Sequence, residues 1–307
     1  MSKNALQRLV IALAGLLVVY GGIRLLAGRG PELAPGALEL AAELEGIDER
    51  TLESAAFSGD NREIEVARVA GEWTVNGHEA DSAAVARMFT ALSEVEVGAL
   101  AAANPDNHER LGVAGREAWM LEFRLLGGES RIVALGRVGS AFQTAYARLP
   151  GSDEVYTVRG DLRGSFTRTL TDWRDKLIAR TDVESIASIE VERDGEVIIV
   201  ERGDAGWTVG ESGSVPDSAT VANMLDEVDE LRAIGFVEDG AEFPTEDVRR
   251  FVALNESGDT VLGLEMVQVD AEYWVRAAGN DTLYRLAAFR ATRIVPEPDR
   301  LLGREGG

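Results

Sequence analysis

Cysteine is absent from the 307-residue chain, and histidine occurs only as His78 and His108. The first absence removes thiolate nucleophiles, cysteine-based zinc sites, disulfides and a lipid-modified cysteine together. The second leaves no set of histidines for a transition-metal centre. Carboxylates alone remain as metal ligands, so no metal or organic cofactor is expected. Positive charge is scarce as well, with 31 Lys+Arg against 53 Asp+Glu and a net charge of −22. Phosphate-backbone affinity needs a basic face, so no nucleic-acid partner is expected. The sequence lacks G-x-x-x-x-G-K-[ST], so the chain is not itself an ATPase. Neither H-E-x-x-H nor G-x-S-x-G occurs, and Gly210-Glu211-Ser212-Gly213 falls short of the latter. What is present, 45% hydrophobic and 27% charged residues, fits a folded chain. The length suits about two domains of roughly 100–200 residues each.

The charge is unevenly placed. Residues 1–31 hold Lys3, Arg8, Arg24 and Arg29 but no acid, which leaves 27 bases against 53 acids and a net −26 beyond them. Leu9 to Ile23 reads LVIALAGLLVVYGGI without a charge, and continuation to Ala27 makes a nineteen-residue segment. As a helix it would span ~28 Å, close to the ~30 Å hydrocarbon core of a bilayer. Its end, Leu25-Leu26-Ala27-Gly28-Arg29, is a poor signal-peptidase site, so an uncleaved transmembrane helix over residues 9–27 is expected. Lys3, Arg8 and the free amine place residues 1–8 in the cytoplasm. The expected location is therefore a bacterial inner membrane, with the lipid bilayer as a partner through residues 9–27 and the acidic bulk outside the cytoplasm. Pro31, Pro35 and Gly36 mark residues 28–46 as a linker with a short helix candidate.

The body repeats itself. Trp73-Thr74-Val75 recurs as Trp207-Thr208-Val209 at an offset of 134, which also pairs Asp60 with Asp194 and Ile64 with Ile198. An offset of 136 pairs Asp81 with Asp217 and Met88 with Met224, and one of 128 pairs Phe123 with Phe251 and Arg148 with Arg276. The first copy therefore holds extra residues around Asn104 to Val113. Asp60-Asn61 and Asp194-Gly195 read as hairpin turns. Val85, Met88, Phe89 and Leu92, like Val221, Met224, Leu225 and Val228, follow the i, i+3, i+4, i+7 spacing of an amphipathic helix. Strands are predicted over 120–125, 131–135, 144–148 and 155–158, and again over 251–254, 260–266, 273–277 and 282–286. The expected fold class is α+β, a tandem duplication of a mainly antiparallel sheet with one packed helix behind a single transmembrane helix. The domains are placed at 47–178 and 181–295, with 296–307 as a flexible tail. Leu162, Phe166, Leu170, Trp173 and Leu177 are spaced for one helix closing the first domain.

W-x-V, an Asp-capped helix, a sheet ending in Y-x-R, and the Trp173-Arg174-Asp175-Lys176-Leu177 run resemble DUF4340, an uncharacterised domain family. The likeness covers about residues 47–295, with Arg110-Leu111-Gly112-Val113 a looser match to the family's tyrosine-glycine-leucine. The resemblance implies a membrane-anchored extracytoplasmic accessory protein, often found with gliding-type ABC-2 exporters. ABC-2 permease and ATPase subunits are then the possible partners. It carries over no catalytic residues, and none are assigned. A free-standing structural envelope protein and a carboxylate-based envelope hydrolase are the alternatives.

Trp73 and Trp207 are expected between sheet and helix with their indole N–H groups bonded locally. Asp81 and Asp217 are expected as helix N-caps. Binding candidates are Arg148 and Arg276, on strands beside acids and aromatics, and His108, the titrating member of Asp106-Asn107-His108-Glu109 in the extra segment of the first copy.

Overall fold

The computed structural model describes residues 33–210 and 212–304. Residues 1–8 and the expected membrane span at 9–27 lie outside them. Among the described residues, no helix is long and apolar enough to cross a membrane. Two units divide the chain between Leu170 and Thr171, ahead of the expected 178–181 boundary.

The first unit begins with helix α1 (Pro35–Leu44), followed by β1 (Leu52–Gly59), β2 (Arg62–Val69), β3 (Glu72–Val75) and β4 (His78–Glu79). Helix α2 (Ser82–Ser93) comes next, then β5 (Glu96–Ala102) and the short helix α3 (His108–Leu111). The unit ends with β6 (Trp119–Leu125), β7 (Ser130–Val138), β8 (Thr144–Arg148), β9 (Val155–Arg159) and α4 (Leu162–Phe166). All nine strands form one antiparallel sheet in the order β4-β3-β2-β1-β6-β7-β8-β9-β5.

The β1–β2 turn uses left-handed Asp60 and Asn61 (φ 52° and 57°), which suits the twist of a two-residue hairpin. On α2, Val85, Met88 and Leu92 are buried, and the Asp81 carboxylate accepts the Ala84 N–H at 2.7 Å. Phe57, Phe123 and Phe166 meet edge-on with ring centres 4.8–6.2 Å apart, so α4 is held by aromatic packing. Both ends of α1 are tied to the sheet. Arg131 donates to the Ala42 and Glu45 carbonyls at its C-terminus. At its first turn the Gly36 backbone lies against Glu154 and Tyr156, where a Cβ would come 2.7 Å from Tyr156 Oη. Tyr156 itself donates to Glu154 Oε2 at 2.5 Å. Burial, then the bond to Glu154, pushes the Tyr156 phenol up to about 12.

The second unit follows α5 (Leu170–Trp173), which lies across the division. Its strands are β10 (Leu177–Arg180), β11 (Ser188–Arg193), β12 (Glu196–Gly203) and β13 (Gly206–Val209), followed by helix α6 (Ser218–Asp229). Then come β14 (Glu230–Arg232), β15 (Gly235–Phe236), β16 (Arg249–Leu254), β17 (Thr260–Val269), β18 (Glu272–Ala277) and β19 (Tyr284–Ala287). Helices α7 (Ala288–Ile294) and α8 (Pro298–Leu301) close it. The main sheet runs β13-β12-β11-β16-β17-β18-β19-β15, and β10 pairs with β14 apart from it. Strand for strand in chain order, this is the sequence of neighbours from β3 to β5 in the first sheet.

Alternation sets the core. Val191, Phe251 and Leu264 face one another across β11, β16 and β17, and all are buried. Val221, Met224 and Val228 of α6 cover that face. Asp217 caps α6, accepting from the Thr220 N–H at 2.7 Å and its hydroxyl at 2.6 Å.

Three expectations change. The helix predicted over 162–177 is two short helices followed by strand β10, because Thr167–Thr169 interrupt it. The predicted tail is partly docked: Leu301 is fully buried and its carbonyl accepts the Asp217 N–H at 2.9 Å. Trp73 does pack on Phe89 of α2, with centroids 5.6 Å apart, but its indole N–H has no acceptor among the described residues.

Candidate functional site

His108 and Arg148 are placed side by side in function, and both hold the first unit together. His108 is only 8% exposed. Its Nε2 lies 3.0 Å from the Asp153 carbonyl oxygen, an acceptor only, so that nitrogen donates. The bond ties α3 to the β8–β9 turn, and the loop position expected for His108 gives way to a buried one. Arg148 Nε donates to the Val113 carbonyl at 3.1 Å, and its Nη1 donates to Leu149 and Ser152 at 3.1 and 3.4 Å. Its fork is spent on backbone oxygens, with no carboxylate partner among the described residues. Both residues thus clamp the extra segment onto the sheet. Leu111 and Val113 from that segment pack with Val155 in a small apolar cluster.

Arg276 is different. It lies in a solvent-facing groove of about 470 Å³ in the second unit, with Arg250, Val252, Gly263, Glu265 and Asp281 among its walls. Sheet register explains the cluster, since Arg250 faces Glu265 and Glu265 faces Arg276 across β16, β17 and β18. Arg250 donates to Glu192 at 2.7 Å and to Glu265 at 3.1 Å, and Arg276 pairs with the other Glu265 oxygen. Burial pushes the Glu265 carboxyl up, but bonds from Arg250 and Arg276 outweigh it and hold it below the usual carboxylate range. Arg276 also lies 4.6 Å above the Phe243 ring. Its two arginines are matched by the carboxylates of Glu265 and Asp281, so the charges of the lining balance.

A second groove, of about 650 Å³, lies in the first unit and went unread in the sequence. Four arginines line it, Arg62, Arg116, Arg137 and Arg163, together with Asp60 and Glu117. They come from β2, the stretch before β6, β7 and α4. Only folding brings them together, and no local spacing announces them. Among the described residues, no three or more His, Asp or Glu side chains are arranged to hold a metal ion.

Residues 73–250 match the family described as a domain of unknown function (DUF4340), which is more than half of the chain. The chain belongs to that family. No curated protein and no solved structure matches it. The DUF4340 match is continuous through the division of the units, from β3 of the first to β16 of the second. It takes in His108, Arg148 and three of the four groove arginines. Arg62, Glu265 and Arg276 of this DUF4340 chain lie outside it.

Proposed function

We propose that the chain is a membrane-anchored extracytoplasmic binding or scaffold subunit, without catalysis of its own, serving an ABC-2 type exporter or envelope-assembly system. The observation that carries this reading is the Glu192–Arg250–Glu265–Arg276 ladder of the second unit. Four strands present mutually compensated charges at a groove, so the surface is ordered before a partner arrives and needs no ion to complete it. Such a face suits a protein partner with matching polar groups.

In this reading the body is a tandem duplication of one α+β unit. The common strand order supports it, as do the Asp81 and Asp217 caps at the same point in each unit. The anchor reading gains support from α1, whose C-terminal end is bonded by Arg131 and whose first turn lies against Glu154 and Tyr156 of the first unit. Little chain remains between residue 27 and Pro35, so an anchor there would keep the first unit near any permease in the same membrane.

The test is extraction of the tagged full chain in mild detergent at low and high salt. Recovery of a multi-span permease with its ATPase, falling as salt rises, is expected. Recovery of the chain alone after mild crosslinking overturns the exporter reading and favours a free-standing structural protein.

A further inference from the structure

The first unit's groove carries charge that the second one lacks. Of its two acids, Glu117 pairs with Arg137, and Asp60 lies 3.5 Å from Arg62. Arg116 and Arg163 have no carboxylate partner among the described residues. Four guanidiniums against two carboxylates leave two positive charges in excess, in a chain of net charge −22. Burial above all, together with the nearby Arg137 and Arg62, holds Arg163 below its ordinary value against the pull of Glu117 and Asp60. A half-buried cation beside like charges is unfavourable until an anion joins it.

The groove is also fixed in shape. Arg163 Nη1 donates to the Gly136 carbonyl at 2.5 Å, and Arg62 lies 4.9 Å above the buried Trp119 ring while donating to the Thr167 carbonyl at 3.4 Å. Arg137 donates to the Arg110 carbonyl at 3.2 Å. Gly112, with φ 68°, lets the backbone press on the Arg137 stem, where a Cβ would lie 2.6 Å from Arg137 Cγ. The clamp made by His108 and Arg148 holds the segment that packs behind Arg137 of this groove.

We propose that the Arg62–Arg116–Arg137–Arg163 groove binds a phosphate monoester group. Its excess charge matches the roughly −1.5 to −2 of such a group at pH 7. Guanidinium forks supply paired donors to its oxygens. The phosphate can belong to a soluble metabolite or to a lipid headgroup. Val138, 63% exposed at the rim, and Phe142, 86% exposed in the next turn, offer apolar surface for an acyl chain. The site stands independently of the exporter reading.

Isothermal titration of the full chain at fixed ionic strength tests it, using glycerol 3-phosphate and dihexanoyl phosphatidic acid as probes. Saturable one-to-one binding of either probe is expected, weakened about tenfold or more by Arg163→Gln and by Arg116→Gln. Arg50→Gln, at an exposed arginine outside the groove, leaves it unchanged. Arg116 is exposed, so its variant answers the question even where Arg163→Gln lowers stability. Tighter binding of the acyl-bearing probe, reduced by Phe142→Ser, assigns a lipid source, and equal binding assigns a soluble one. Absence of saturable binding by both probes, or binding that survives both groove variants, overturns the proposal.

Discussion

The two units use arginine in opposite ways. In the second, Arg250 and Arg276 are fully compensated by Glu192 and Glu265, and the register of β11, β16, β17 and β18 creates that balance. In the first, the residues around the groove come from separate elements, and Arg116 and Arg163 are left with charge to spare. The position matching Arg276, Arg148, is turned to backbone carbonyls by the extra segment. The same side chain thus serves as a sheet rung, a loop clamp or an anion ligand. Whichever groups the neighbouring loop supplies decide among these roles.

The largest effects should come from the cores. Met88→Ala in α2 and Met224→Ala in α6 each remove a fully buried side chain and should cost about 2–5 kcal/mol. If the units are separate cores, calorimetry will record one transition lowered by each variant and the other unmoved. A single transition shifted by both breaks the comparison. Next comes Arg148→Ala, which abandons three backbone carbonyls and should cost about 2 kcal/mol of the first unit's stability. Arg276→Ala removes a half-exposed ion pair, expected to be worth under about 1 kcal/mol. Equal losses for the two in urea titrations would erase the distinction between clamp and rung.

Smaller effects are expected with acid. The folded pKa of Glu265 is lowered, so its contribution is fully present above the ordinary carboxylate value and is lost as pH falls through the folded value. Glu265→Gln should therefore flatten the acid limb of the second unit's stability curve, as read by melting temperature from pH 6 to pH 2. Bonds from the Thr220 hydroxyl and N–H lower Asp217 likewise, with the same sign. Asp217→Asn keeps a cap while removing that charge, and should flatten the same limb by less. An unchanged slope in both variants would show that neither carboxylate drives the acid response.

Much of the architecture was legible in the sequence because it is local. Asp60-Asn61 and Asp194-Gly195 announce hairpins, and four apolar residues at helical spacing announce α2 and α6 together with their Asp caps. Edge strand β5 was missed because its exposure does not alternate, and β15 because it has only two residues. Spacing misled over 162–177, where Phe166 and Trp173 are both buried but lie in separate short helices. The candidate sites were the least legible. Arg148 and Arg276 are both candidates by their place on strands beside acids and aromatics, yet only Arg276 meets a carboxylate, because an insertion sets the surroundings of Arg148. Arg62, Arg116, Arg137 and Arg163 share no spacing at all, and His108 is buried by contact with a turn 45 residues away.

The central claim, that the body is a partner-binding surface held near a membrane, is tested most directly by contact in native membranes. A photo-crosslinking side chain at Asp281, exposed on the rim of the second groove, reports what lies there. The account predicts an adduct with a multi-span membrane protein that is lost when the Glu192–Arg250–Glu265–Arg276 ladder is broken by Arg250→Glu. No adduct from Asp281, or the same adducts from exposed Glu72 on the first unit, would contradict it.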